Sequence, residues 1–573
     1  MAKTLRPMNR SRFVFWLPFF PIMTIVFLAA PVLSGLLGVI LPAFGYFPFL
    51  GGKGWGWHIF AEVFAHPAFF HSAGLTLLSG MLSTLLSLVL ALNIVSMSFR
   101  NRGLYKLRGL LIPLLAVPHA ASAFGLAFLI APGGWVMRWS VWISGGEALP
   151  PDWIILGDPW GISLMLGLIL KETPYLILMI LALMPQVHAV ESLRVATSLG
   201  YVINGAWWRV VVPRLLPLLR LPVFAVLAYS ISTVDMALIL GPSTPPTLAV
   251  LLLRWLEDPD LGMRFHAAAA GVILLLMAIS MGAVFYGMEM WRFRFFRSWM
   301  LKGPSPRERT IHFVPVAAWS LFFVSILGLL VLGLWSFAYR WSWPSILPTE
   351  WTLLNWKRHG VDVMDTLALT IGIGLTATIL AAVLTVGCLE NERWRRVRFS
   401  RAGAWLLYAP LLIPQATFLL GLQILAVWLR LDGSWTLLLW SHFLFVLPYL
   451  FIAVAEAWRS FDRRYETTAL CLGRTSWEVF LRVKLPLLLK PLLIGCAIGF
   501  AVSIAQYLPT LFAGAGKLAT LTTEAVGRAS GADRRVIGVY GFLQAALPLL
   551  ALGGALIFSN RLARNRKIVA GIM

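Results

Sequence analysis

Apolar runs long enough to cross a hydrocarbon core of ~30 Å recur from end to end of the chain, separated by short polar islands. Within each run the apolar residues are continuous and lack the alternation of barrel strands. Lipid admits only helices and closed barrels, so the pattern predicts helices. In the first half, spans are expected near 14–41, 72–97, 109–131, 159–184, 217–241 and 266–288. In the second they are expected near 313–338, 365–389, 403–429, 435–456, 488–512 and 535–560. The fold class predicted is an all-α polytopic membrane protein with 12 transmembrane helices.

The polar residues between and within these runs repeat. At an offset of 273, Gly200 superposes on Gly473, Arg209 on Arg482, Pro213 on Pro486, Ser230 on Ser503, Gly241 on Gly514 and Thr247 on Thr520. At 294, Leu75-Thr76, Gly80 and Thr84 superpose on Leu369-Thr370, Gly374 and Thr378. At 296, Pro118 and Gly125-Leu126 fall on Pro414 and Gly421-Leu422, and at 274 Pro174-Tyr175-Leu176 falls on Pro448-Tyr449-Leu450. The later fall in offset matches a deletion that shortens loop 132–158 to 431–435. Six spans against six in the same order make a parallel repeat, its halves related by an axis along the membrane normal. The domains expected are 1–302 and 303–573, joined by a basic, proline-containing linker from Trp291 to Arg307.

Each half carries one polar island between its fourth and fifth spans. Residues from about 189 and from about 462 suit a short helix lying across the membrane face, ended by a left-handed turn at Gly200 or Gly473. Thr475 and Glu478 have capping-box spacing, and Asn204 is the expected N-cap of the first copy. A second short helix is expected to stop at Pro213 or Pro486. Each half thus presents a helix–turn–helix elbow.

Composition agrees with the pattern: 59% of the 573 residues are hydrophobic and only 12% charged, well outside soluble averages. A net charge of +23 would suggest nucleic acid in a soluble protein. Here the basic residues cluster in alternate loops, which the positive-inside rule explains without a nucleic-acid partner. Basic residues Lys3, Arg6, Arg10 and Arg12 precede an apolar stretch too long for a cleaved signal, read as a retained span. Cys388, Cys471 and Cys496 have no metal-ligand spacing and read as small buried hydrophobes. His119, His188, His266 and His442 are scattered, so no metal or other cofactor is expected. Trp55, Trp57, Trp291, Trp299, Trp341 and Trp343 read as interfacial belts.

Ionisable groups inside a membrane are expensive and point to function. Lys171 and Glu172 in the fourth span, and Asp235 in the fifth with its near counterpart Gln506, are the candidate solute-pathway residues. Being adjacent, Lys171 and Glu172 point about 100° apart on a helix and cannot both face one lumen. An acid at 235 favours a cationic solute.

The two islands resemble the EAA loop of ABC importer permeases: Glu-Ala-Ala, three residues, Gly, and a Leu-Pro or similar pair further on. Leu199-Gly200 with Val212-Pro213, and Leu472-Gly473 with Leu485-Pro486, carry the resemblance. It covers the whole chain as two fused permease halves, similar to single-chain permeases of iron(III), thiamine and related importers. Gly241 to Leu248 and Gln506 to Thr510 resemble a thiamine-permease-like branch. The resemblance implies a type I importer permease fold in a bacterial inner membrane, with both termini cytoplasmic. It implies two copies of a cytoplasmic ATP-binding subunit, a periplasmic solute-binding protein, and a cargo that is thiamine-like, a polyamine or iron(III). Docking to the ATPase would then fall to Arg194, Ala196, Gly200, Pro213, Glu466, Thr467, Ala469, Gly473 and Pro486. The chain departs from the pattern where the acid belongs: Arg194 and Thr467 stand there, with Glu466 one residue early and Glu191 three early.

Two other classes compete. A twelve-span secondary transporter also uses parallel repeats, but needs intramembrane acids or cation sites that are sparse here. A membrane enzyme needs a catalytic cluster, and the chain shows no nucleophile–base spacing or phosphate-binding loop. Without such a loop, an ATP-driven pump must borrow its nucleotide site, and the chain itself is expected not to be an enzyme.

Overall fold

The computed structural model describes residues 15–100, 111, 113–145, 149–150, 152–295, 297–301, 303, 314–396, 401–531 and 533–570. The basic N-terminal segment, the basic residues Arg102, Lys106 and Arg108, and linker residues 304–313 lie outside them.

The first half has as its principal helices α1 (Phe19–Ala43), α2 (Phe69–Arg100), α3 (His119–Ile130), α4 (Trp135–Ser144), α5 (Ile162–Leu183), α6 (Ala189–Ser198), α7 (Val212–Ser232), α8 (Asp235–Leu240), α9 (Leu248–Leu256) and α10 (Met263–Phe295). The second has α11 (Val314–Phe337), α12 (Gly360–Arg395), α13 (Arg401–Leu412), α14 (Gln415–Trp428), α15 (Trp435–Arg459), α16 (Arg463–Cys471), α17 (Leu485–Ile504), α18 (Leu508–Gly514), α19 (Leu521–Gly527) and α20 (Arg534–Ala570). A two-stranded hairpin follows the first span of each half: Tyr46–Phe47 with Gly52–Lys53, and Ala338–Arg340 with Glu350–Trp351. Among the described residues, 11 helices are long and apolar enough to cross a membrane, and one bent pair brings the number to 12.

Proline decides where spans break. The expected third spans are not continuous: the chain leaves the helix at Val117-Pro118 and at Ile413-Pro414. Trp405–Leu412 and Gln415–Trp428 meet at 102°. Proline lacks the amide that would close the turn, and it drives its predecessor out of the helical region. The fifth spans break too, at Thr233-Val234 before α8 and around Gln506 before α18. Loop 132–158, expected to be irregular, contains α4.

The halves interlock through their first spans. Helix α1 lies along α14, and α11 lies along α3. Glycines permit both crossings: a Cβ at Gly38 would sit 2.7 Å from the Gly421 Cα, and one at Gly125 would sit 3.0 Å from the Gly328 Cα. Small residues let helix backbones meet where lipid supplies no hydrophobic drive. A hydrogen-bond motif also repeats across the halves. Thr76 Oγ1 donates to the Ser72 carbonyl and accepts from the Leu248 amide, at 2.7 and 2.8 Å. Thr370 Oγ1 likewise donates to Thr366 and accepts from Leu521, at 2.6 and 3.0 Å. Each threonine takes up an orphan amide at the start of the helix that follows the fifth span. The chain therefore folds as two parallel six-helix repeats.

Candidate functional site

Both elbows end their first helix in the same way. In α6 the Gly200 amide bonds the Thr197 carbonyl and the Tyr201 amide bonds that of Ala196, each at 3.1 Å. In α16 the Gly473 amide bonds Leu470 and the Arg474 amide bonds Ala469, at 3.0 and 3.2 Å. This is the Schellman pattern, which requires a left-handed residue after the cap. Gly200 and Gly473 supply it, with φ of +88° and +80°. Ala196 and Ala469 contribute the carbonyls that close the motif. Each elbow follows the fourth span of its half; counting the bent pair as one span, six crossings separate the elbows, an even number that puts both on one membrane face.

Beyond the glycine the structure corrects the sequence reading. The second helix does not stop at the proline. From Ile203 and from Ser476 it runs on into α7 and α17, passing through π-helical turns at Trp207–Val211 and Phe480–Lys484. A π turn widens the helix just where Pro213 and Pro486 withhold an amide and crowd the preceding carbonyls. Thr475 and Glu478 form the expected capping box. Asn204 is not a cap: Val202 takes that position, and Asn204 Oδ1 instead accepts from Ser96 Oγ at 3.0 Å.

Several elbow residues face outward. Arg194 and Thr467 are exposed, as are Val195, Leu199, Tyr465, Leu472 and Trp477. Leu199 and Leu472, the matched residues before the glycines, are 66% and 77% exposed. Cys471, expected buried, is exposed beside them. Glu466 turns inward. Its Oε2 accepts from Arg393 Nε at 2.7 Å, and its Oε1 lies 3.2 Å from Lys484 Nζ. Lys484 is also paired with Glu390, which accepts from Trp458 Nε1 at 2.7 Å. Lys484, Glu390, Arg393 and Trp458 were not singled out in the sequence. A lysine next to Leu485-Pro486, where the first half has Val211, was the available signal.

The pathway candidates divide. Lys171 Nζ donates to the carbonyls of Leu114, Leu115 and Val117, the groups freed where the helix breaks at Pro118. Glu172 reaches across the same break to His119 Nε2, 3.3 Å away. The adjacent pair therefore staples both sides of one proline break, and Lys171 is committed to backbone. Glu172 continues into a polar seam. The His119 ring lies 4.3 Å from that of Tyr229, whose hydroxyl is 3.4 Å from Asp235 Oδ1. Thr233 Oγ1 donates to the same Asp235 oxygen at 2.9 Å. Tyr175 and Tyr449, the matched tyrosines of the two halves, lie within electrostatic reach of Glu172, and Tyr507 within reach of Asp235. Gln506 is buried and donates to the Val502 carbonyl at 3.1 Å. Its neighbourhood is closed by His442, which bridges Ser503 and Thr510 at 2.8 and 2.9 Å.

On α4, buried Arg138 donates to the carbonyls of Gly133, Ser342, Ser345 and Trp341. Its guanidinium sits 5.2 Å from the Trp341 ring centre and 5.5 Å from that of Trp343. These two tryptophans, expected in an interfacial belt, instead hold an arginine that ties α4 to the hairpin after α11.

Two interlocked bundles, a repeated elbow and a largely buried polar seam define a polytopic transport permease. The profile of the "Binding-protein-dependent transport system inner membrane component" family matches residues 374–567. The "Inner membrane ABC transporter permease protein YnjC" of Escherichia coli (strain K12) is 31% identical over 528 residues, covering 91% of this chain and 92% of the relative. The "Putrescine transport system permease protein PotI" of the same strain is 29% identical over 149 residues, 25% of this chain and 53% of PotI. The "Putative 2-aminoethylphosphonate transport system permease protein PhnV" of Salmonella typhi is 27% identical over 209 residues, 35% of this chain and 77% of PhnV. The chain belongs to the family of ABC importer inner-membrane permeases. It is a multi-pass inner-membrane protein, and its family works with ATP-hydrolysing and solute-binding partners.

Proposed function

We propose that residues 1–302 and 303–573 act as two permease repeats whose elbows each seat one copy of a cytoplasmic ATP-binding subunit. Both termini then lie in the cytoplasm, and the solute-binding protein delivers cargo to the opposite face. The observation that carries this reading is the matched pair of Schellman elbows, each with an exposed leucine before its glycine. Exposed apolar side chains on a water-facing elbow suit a protein interface. Arg194, Ala196, Gly200 and Pro213 belong to the first seat, and Thr467, Ala469, Gly473 and Pro486 to the second. Glu466 serves its seat from behind, through Arg393 and Lys484.

The cargo follows from the seam. Glu172 and Asp235, beside Tyr229, suit an amine-bearing organic cation, through charge-assisted hydrogen bonds and cation–π contact. Putrescine and 2-aminoethylphosphonate, named for PotI and PhnV, both carry a primary amine. Among the cargos expected, a polyamine or a thiamine-like cation fits this seam better than iron(III), because aromatic rings line it. Lys171 is assigned to the fold and leaves the pathway.

The test is the paired substitution Leu199→Asp and Leu472→Asp. Both positions are exposed, so the permease should reach the membrane at its usual level while its ATP-binding subunit no longer co-purifies. Undiminished co-purification would refute the docking reading.

A further inference from the structure

Behind the second elbow four charges are set in a square, ion-paired along three of its sides in the order Glu390, Lys484, Glu466, Arg393. Lys484 and Glu390 are 1% and 2% exposed. Glu466 and Arg393 complete it, two acids against two bases. Trp458 and Phe461 wall it: Lys484 Nζ lies 5.2 and 5.8 Å from their ring centres, and Arg393 bonds the Phe461 carbonyl at 3.2 Å. The square joins four elements: the end of α12, the end of α15, the elbow helix α16, and the π turn that leads into α17.

The matched positions of the first half carry no charge. At the repeat offsets, Glu390 corresponds to Ser96, Arg393 to Phe99, Glu466 to Leu193 and Lys484 to Val211. Leu193 and Val211 are buried in an apolar cluster with Met184. At these four positions the repeat places balanced charges in one half and none in the other, while the first half's π turn carries a single buried arginine, Arg209, bonded to the Gly303 carbonyl. Burying ions is costly, and the first half fills the places of Glu466 and Lys484 with the apolar Leu193 and Val211.

The two anchors differ mechanically. Apolar contacts are non-directional and allow one surface to slide over another. A buried ion square holds only in one geometry, because displacing any member leaves an uncompensated charge. We infer that this square is the rigid coupling through which motion of the second elbow reaches the pathway helices α17 and α18, while the first elbow follows with play. Glu390, Lys484 and Arg393 are thereby positioning residues for import, and the two halves are functionally unequal. The inference rests on the docking reading above.

The test uses the full permease with its ATP-binding subunit in proteoliposomes. A reporter cysteine, Gln506→Cys, is placed in a background without Cys388, Cys471 and Cys496. Its rate of modification by a membrane-impermeant maleimide is read with and without ATP. Glu390→Gln combined with Lys484→Met removes one acid and one base, so no buried charge is left unbalanced and an acceptor remains for Trp458. The expected result is normal co-purification and continued ATP hydrolysis, with the ATP-dependent change in labelling reduced about tenfold, a usual size for coupling between sites. An undiminished change overturns the inference, as does the absence of any ATP-dependent change with the square intact. Loss of the ATP-binding subunit from the double variant also overturns it, since the square would then serve docking. Failure of the docking reading shows separately, as retention of that subunit by the Leu199→Asp, Leu472→Asp protein. Where the neutral pair fails to reach the membrane, the outer pair Glu466→Gln with Arg393→Gln decides, since it removes one acid and one base and leaves Lys484 paired with Glu390. A similarly reduced change in labelling is expected, and an undiminished change overturns the inference.

Discussion

Replacing Gly473 isolates the elbow's geometry from everything around it. The residue sits at φ +80°, and a Cβ built on it meets nothing within 4 Å. Alanine there collides with no neighbour, so its whole penalty is the local cost of a left-handed conformation, about 1–2 kcal/mol for an L-residue. The free elbow can escape this cost by opening the turn and giving up the two Schellman bonds. A docked elbow cannot, so the penalty falls on docking. A cost of 1–2 kcal/mol corresponds to roughly a 5- to 30-fold weaker complex. Valine, branched at Cβ, should be worse, whereas asparagine, which tolerates this region, should remain close to glycine. The assay is titration of the purified ATP-binding subunit against detergent-solubilised permease carrying Gly473→Ala, Gly473→Val or Gly473→Asn. The order Gly, Asn, Ala, Val in falling affinity is expected. Equal affinity across the series would refute the argument, and so would an asparagine variant as weak as valine, because backbone conformation would then not be the cause.

Other parts of the fold make equally definite predictions. Arg138→Ala strands four carbonyls and two tryptophan faces. At about 1–3 kcal/mol for each unsatisfied buried group, it should lower the melting temperature in detergent, and Arg138→Lys should recover only part of the loss. Gly421→Leu puts a side chain into the backbone of Gly35 on α1. It should separate α1 from α14 and reduce the amount of folded permease in the membrane, whereas leucine at Gly372, where a Cβ meets nothing within 4 Å, should have little effect. Asp235→Asn removes one charge-assisted bond, of about 1.5–3 kcal/mol, and should cut putrescine or thiamine uptake by roughly tenfold or more while basal ATP hydrolysis continues. Uptake unchanged in that variant would take Asp235 out of the pathway.

Class, number of spans and elbows were all legible in the residue pattern. Membrane solvation forces continuous apolar helices, so spans are written as long runs. A left-handed turn excludes most side chains, so Gly200 and Gly473 mark the elbows at a fixed distance from Pro213 and Pro486. The capping box at Thr475 and Glu478 is likewise a local matter of four residues. What local sequence left open was every question of partnership. Lys171 was open to a pathway role or a structural one, and its three bonds go to the carbonyls freed at Pro118. Trp341 looked like a belt residue and proved to cover Arg138. Glu466 stood near the expected docking acid, yet its partners are Arg393 and Lys484, which come from distant segments of the chain. Lipid-facing and core-facing positions are equally apolar in such a protein, so hydrophobic pattern does not tell a helix which neighbour to meet. Close glycine contacts and buried charges make that choice, and both act only once the helices have been brought together.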